Sequence, residues 1–260
     1  MTFGPMLAAA AVGLVAGYLS GQFGVGGGIV TTPAIRLLLG YPELIAVGTP
    51  LPVVIPTALA GVFSYARKGL VDFRVGLGAG LAGGVFSVLG AQAAAWAGGP
   101  TVLVVTAALI GWMAVDMALL AVRPPRHEAG AGPHAMRLRS PLWIGLLGAI
   151  TGLFSGFLGL GGGFVVVPVL VRYFGFDAKR AVGTSLVVVA VLAVPGSIAH
   201  YLLGHVDLAL AAGLAVGVVP GALVGARVTQ VSRERTVRLG FAAMLLVVGC
   251  VLAASELGLV

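Results

Sequence analysis

The sequence predicts an all-α polytopic membrane protein built from two inverted-topology repeats, each a Gly-rich helical hairpin followed by three transmembrane helices. Three observations carry that prediction. Of the 260 residues, 59% are hydrophobic and only 9% charged, and the mean hydropathy is +1.11. A soluble domain carries about 25% charged residues. A glycine-rich motif occurs twice, and the basic residues cluster in alternate loops of the two halves.

The motif is Gly17-Tyr-Leu-Ser20-Gly21-Gln-Phe-Gly24-Val-Gly26-Gly27-Gly28, running on to Pro33, and it returns as Gly152-Leu-Phe-Ser155-Gly156-Phe-Leu-Gly159-Leu-Gly161-Gly162-Gly163, running on to Pro168. The displacement is 135 residues throughout, and Gly48-Thr49, Gly61, Asp72 and Gly90 match Gly183-Thr184, Gly196, Asp207 and Gly225 at the same interval. An ungapped register of that length marks two copies of one unit. We divide the chain into a first membrane repeat at 1–122, a polar Pro/Gly linker at 123–140, and a second repeat at 141–260.

Taken in order, apolar stretches predict helices at 5–22, 28–40, 44–66, 72–97 and 100–122. The second half repeats them at 142–158, 161–174, 179–203, 207–228 and 236–254. Residues 1–16 lack a basic n-region and read as part of the first helix, not as a cleaved leader. Asp72 and Asp207 open matching helices as N-caps. The Gly17-x-x-x-Gly21 and Gly152-x-x-x-Gly156 pairs read as helix-packing motifs.

Loop charge predicts orientation. Arg67, Lys68 and Arg74 share one loop of the first half, while its counterpart at 204–207 has neither Lys nor Arg. Arg172, Lys179 and Arg180, and then Arg227, Arg233, Arg235 and Arg238, crowd loops whose counterparts are nearly free of basic residues. The positive-inside rule places these clusters and the basic linker in the cytoplasm. Threading the helices through that constraint requires the repeats to be inverted and both termini to lie outside. The same rule accounts for the formal charge of +7 without a nucleic-acid partner. The partners expected are a lipid bilayer and a small anion, and a homo-oligomer stays open.

Each glycine break leads into a helix too short to span, since spanning takes about 20 residues. A re-entrant hairpin fits, and two tilted full spans are the alternative. Irregular backbone at membrane depth persists where protein buries it or a wet cavity solvates it. Inverted repeats with interrupted helices place a transport site near the midplane. A helix N-terminus offers free N–H groups and roughly half a positive charge, which suits an anion. Candidate ligand contacts are Ser20, Gly24, Gly26, Gly27, Gly28 and Thr49 in the first half. In the second half they are Ser155, Gly159, Gly161, Gly162, Gly163, Thr184 and Ser185.

Other chemistry finds little support. No Lys-Ser/Thr follows the glycines, so they do not form a P-loop. The single cysteine, Cys250, excludes an internal disulfide. No catalytic set, paired carboxylates or metal-ligand spacing is present, so the reading calls for no enzyme activity, cofactor or metal. Asp116 reads as an interfacial carboxylate, and His200, whose counterpart is Tyr65, as a satisfied polar contact. A membrane scaffold whose glycines only pack helices and a channel-like anion pore remain alternatives to a carrier.

The doubled Ser-Gly-x-x-Gly-x-Gly-Gly-Gly-x-x-x-x-Pro pattern, with Ala46-Val-Gly-Thr49 and Ala181-Val-Gly-Thr184 after it, resembles the sulfite exporter TauE/SafE family of membrane permeases. The resemblance covers nearly the whole chain outside the linker. It implies an inner-membrane transporter of sulfur-containing anions such as sulfite, sulfoacetate or related organosulfonates, with the glycine hairpins, Thr49 and Thr184 on the substrate path. Pro50 stands where the second repeat has Ser185, so the halves differ there.

Overall fold

The computed structural model describes residues 3–122 and 140–256, and every regular element in them is an α-helix. The first half contains α1 (Phe3–Phe23), α2 (Gly28–Leu37), α3 (Glu43–Gly48), α4 (Pro50–Ala66), α5 (Phe73–Ala97) and α6 (Gly99–Val122). The second contains α7 (Pro141–Leu158), α8 (Gly163–Arg172), α9 (Ala178–Leu202), α10 (Leu208–Val231) and α11 (Glu234–Glu256). Among the described residues, seven helical stretches are long and apolar enough to cross a membrane, with Glu43–Ala66 counted as one. The linker at 123–139 and the extreme termini lie outside the described residues.

The 44–66 stretch differs from expectation. Helical hydrogen bonding lapses at Pro50, between α3 and α4, although Thr49 keeps helical angles (φ −62°, ψ −33°), whereas the counterpart α9 is continuous. The cause is Pro50, which has no N–H to return to the preceding turn and is tolerated at the first position of a new helix. The caps follow expectation. Asp72 accepts a hydrogen bond from Val75 N (3.2 Å) and Asp207 from Leu210 N (2.9 Å).

Packing runs between the halves. α1 lies along α10 and α7 along α5. A Cβ built on Gly13, Gly17 or Gly21 would lie 2.1–2.2 Å from the carbonyl oxygens of Leu214, Val218 and Ala222 in turn. On Gly148, Gly152 or Gly156 it would lie 1.9–2.1 Å from those of Ala79, Gly83 and Ser87. Both series ascend together, so each pair of helices is parallel, and the second series is the first displaced by one repeat length. Only hydrogen at Cα permits backbones this close, which is what small residues contribute to membrane helix pairs. α4 and its counterpart α9 cross antiparallel, with Gly61 against Leu186 and Gly183 against Tyr65, and Gly48 at the end of α3 lies against His205 in the loop after α9.

The basic segments gather at one end. Arg180 pairs with Asp72 (3.1 Å), Lys179 Nζ donates to Gln230 O (2.7 Å), and Arg172 pairs with Asp116, which accounts for that carboxylate. At the opposite end Arg36 pairs with Glu43 (2.5 Å), Glu43 packs on Gly99, and the 203–207 loop covers Gly48.

Candidate anion site at the two glycine breaks

Each break is made by glycines whose backbone is left-handed: φ is 76°, 84° and 89° at Gly24, Gly26 and Gly27, and 68°, 81° and 73° at Gly159, Gly161 and Gly162. That conformation costs an L-residue with a side chain about 1–2 kcal/mol at each position. The two breaks pack on one another. A Cβ on Gly28 would lie 2.7 Å from Gly159 O, and one on Gly163 would lie 2.1 Å from Gly24 O. Gly26 and Gly161 both face Val54 of α4 and Val189 of α9. The crossing is backbone against backbone, flanked by valine side chains and by Ser185 Oγ at Gly24 O.

A helix N-terminus starts at each crossing. Gly27 O accepts from the N–H groups of Val30 and Thr31 (3.1 Å each), and Gly162 O from those of Val165 (3.1 Å) and Val166 (3.3 Å). The N–H groups of Gly28 and Ile29, and of Gly163 and Phe164, precede the first helical bond and have no carbonyl of their own helix to meet. Neither Gly27 nor Gly162 is capped by a side chain.

Buried hydroxyls stand beside these N-termini. Ser20 Cβ is among the atoms nearest a Cβ built on Gly27, with Thr57 Cγ2 and Ala16 O the others. Around Gly162 the neighbours are Thr151 and Ser155. Ser20, Ser155 and Thr151 are wholly buried, and their hydroxyls have no hydrogen-bond partner among the described residues. The hydroxyls of Thr32, Ser87 and Ser197 share that unpartnered state elsewhere among the described residues, so what marks Ser20, Ser155 and Thr151 is their place beside the helix N-termini, where burial without a partner costs about 1–3 kcal/mol.

All thirteen candidate residues are buried. Ser20, Gly27 and Gly28 come together at one N-terminus, and Ser155, Gly162 and Gly163 at the other. Gly24, Gly26, Gly159 and Gly161 form the crossing itself. Thr49 and Thr184 lie beside the starts of α10 and α5, where Thr49 Oγ1 accepts from Asp207 N (3.1 Å) and Thr184 Oγ1 from Asp72 N (2.9 Å). Ser185 Oγ contacts Gly24 O and Val182 O, both at 2.8 Å. Thr151 is absent from the sequence-based set. Its spacing of four from Ser155 puts both hydroxyls on one helix face, a signal that was available.

The family model described as "Sulfite exporter TauE/SafE" matches residues 9–252 of this chain. The chain belongs to the TauE/SafE family of membrane transporters. Among similar proteins, the probable membrane transporter protein YunE of Bacillus subtilis is 27% identical, over 92% of this chain and 94% of its own. YjnA of the same organism, also named a probable membrane transporter protein, is 29% identical over 92% and 96%. A probable membrane transporter protein of Methanocaldococcus jannaschii is 25% identical over 92% and 91%. No solved structure matches.

Proposed function

We propose that this TauE/SafE protein is a secondary carrier for a small sulfur-containing anion such as sulfite, sulfoacetate or another organosulfonate. The observation that carries the reading is the junction of uncapped, glycine-led helix N-termini with buried, unpartnered hydroxyls at Ser20, Ser155 and Thr151. Free N–H groups and hydroxyl donors stabilise an oxyanion without a buried Lys or Arg. A tetrahedral or pyramidal sulfur oxyanion presents several acceptor oxygens and matches a cluster of neutral donors. The second-half cluster has two free hydroxyls where the first has one, because Ala16 stands at the position of Thr151. We take the Gly162 side as the stronger binding position.

Alternating access follows from two repeats inverted relative to one another, a reading supported by the antiparallel crossing of the equivalent helices α4 and α9. The glycine hairpins are re-entrant in this scheme. α2 and α8 are 10 residues each, about 15 Å of helix, or half a hydrocarbon core. The setting is a bacterial plasma membrane, with the basic end and the linker in the cytoplasm and both termini outside.

The test is flux in proteoliposomes loaded for counterflow, with sulfite, thiosulfate, sulfate, sulfoacetate, chloride and a neutral amino acid as the panel. A carrier gives saturable uptake of a sulfur anion, accelerated by the same anion inside. Non-saturating flux without counterflow would turn the reading to a pore. No flux for any anion from folded protein would turn it to a scaffold.

A further inference from the structure

The two ends of the molecule are held by equivalent hydrogen bonds of different chemistry. Tyr65 Oη donates to Gly21 O (2.9 Å), tying α4 to the first glycine hairpin near the basic end. At the equivalent position His200 Nε2 lies 2.7 Å from Gly156 O, tying α9 to the second hairpin near the opposite end. Tyr65 and His200 are both wholly buried. Facing a carbonyl, His200 Nε2 must carry the proton, so Nδ1 of the neutral ring is an acceptor. His205 Nδ1 sits 3.2 Å from it and supplies the donor. In the first half the residue equivalent to His205 is Leu70, which cannot extend the chain of bonds.

We propose that the His200–His205 pair is a proton-binding latch on the gate at the end away from the basic loops, with Tyr65 as its proton-insensitive counterpart at the other gate. The inference rests on reading the molecule as a two-gated carrier. In this structure His200 is fully buried and His205 is 8% exposed. A proton added to the pair places a unit charge there, at a cost that hydration would remove. The open gate, with water on the pair, therefore binds that proton more tightly. By linkage, acid on that side draws the population toward open, about tenfold for each unit by which the pair's proton affinity differs between the two states.

Neighbouring ionisable groups leave this balance intact. Asp207, two residues on, has its carboxylate turned to Leu210 N, and Glu43 of α3 is paired with Arg36 of α2. Tyr41 precedes α3, and Tyr201 adjoins His200 on α9. α7 brings only Gly156 and its apolar flanks, with no titratable residue between Pro141 and Leu158. Burial lowers the His205 imidazole from its ordinary value of 6.5. A depressed folded value means that the neutral pair contributes stability above that ordinary value, and the contribution is lost as pH falls through the folded one.

The experiment is pulsed-EPR distance measurement on the full chain in nanodiscs, with Cys250 replaced by Ala. One label pair sits at Ile150 and Leu202, and its repeat equivalent at Val15 and Arg67, all exposed. Between about pH 7.5 and about pH 5, a longer distance population should grow at 150/202 and not at 15/67. His200→Tyr with His205→Leu, which installs the first-half residues, should remove the response. If that double variant fails to fold, His205→Leu alone, which keeps the His200–Gly156 bond, should shrink it. An unchanged acid response in either folded variant, an equal response at both ends, or none in the unmodified chain overturns the latch. The readout needs no substrate, so an absent anion flux with an intact acid response would reject the carrier and leave the proton site standing.

Discussion

Thr49 and Thr184 make the same bond in the two halves, each accepting the N–H of the aspartate that caps a helix of the other half. One residue on, Pro50 and Ser185 do not correspond. Ser185 lets α9 run unbroken and reaches Gly24 O (2.8 Å), while Pro50 divides α3 from α4. The pattern extends to Tyr65 and His200, which reach equivalent carbonyls through different groups. Where the two halves meet backbone to backbone, both copies need glycine. Where a side chain makes the contact, any donor of suitable reach serves, and the halves are free to acquire different chemistry. The duplicated scaffold thus carries unlike contacts, a tyrosine at one end and a histidine at the other.

The largest effects should come where the halves are most alike. In Gly163→Ala the new methyl would sit 2.1 Å from Gly24 O, and in Gly28→Ala 2.7 Å from Gly159 O. Backbone cannot step aside as a side chain can, so each variant should lose about 3 kcal/mol or more. The check is the yield of monodisperse protein in detergent. Wild-type yield and melting temperature in either would mean that the crossing does not set the fold.

Gly162→Ala and Gly27→Ala should separate the halves. Both impose a side chain on left-handed backbone, at about 1–2 kcal/mol. A Cβ at Gly27 meets nothing closer than 3.7 Å, whereas one at Gly162 lies 2.6 Å from Thr151 Cγ2 and 3.0 Å from Thr151 O. The second variant should melt at the lower temperature, by an overpacking cost of about 1–3 kcal/mol. Equal melting temperatures would erase this asymmetry.

Thr49→Val and Thr184→Val should restore the symmetry. Each removes one acceptor from a helix-start N–H at nearly the same distance, 3.1 and 2.9 Å, with little change of shape. About 1 kcal/mol is expected for both. Thermal unfolding in matched detergent would expose an imbalance, and a large one would mean that the two helix starts are not equivalent.

Much of this was legible in the sequence because the repeat is ungapped. Helix positions, the aspartate caps, the packing role of Gly17, Gly21, Gly152 and Gly156, and the satisfied state of His200 all follow from periodicity, polarity and register. The missing helical bond at Pro50 was written in that proline but masked by continuous hydropathy from Glu43 to Ala66. Partnership across the chain was not legible. Nothing local to Asp116 names Arg172, and nothing local to His200 names His205 as its neighbour in a bonded chain. The free hydroxyl of Thr151 depends on which face of α7 meets Gly162, and that is decided by the pairing of α7 with α5.

The smallest effect on stability should come from the residues expected to matter most for transport. The hydroxyls of Ser20, Ser155 and Thr151 have no partner among the described residues, so Ser20→Ala, Ser155→Ala and Thr151→Val break no bond within the protein. Each should leave the melting temperature nearly unchanged, or raise it slightly by relieving an unsatisfied buried group. An anion that takes a hydrogen bond from such a hydroxyl loses it in the variant, at a cost of about 1.4 kcal/mol, or a tenfold rise in half-saturating concentration. The rise should be larger for Ser155→Ala with Thr151→Val combined than for Ser20→Ala, because the second-half N-terminus has two free donors and the first has one. Half-saturation in counterflow, measured on the same preparations that give the melting curves, checks both halves of the expectation. Stable variants with unaltered half-saturation would detach the hydroxyls from the anion. A lowered melting temperature would show that these hydroxyls make bonds within the folded protein.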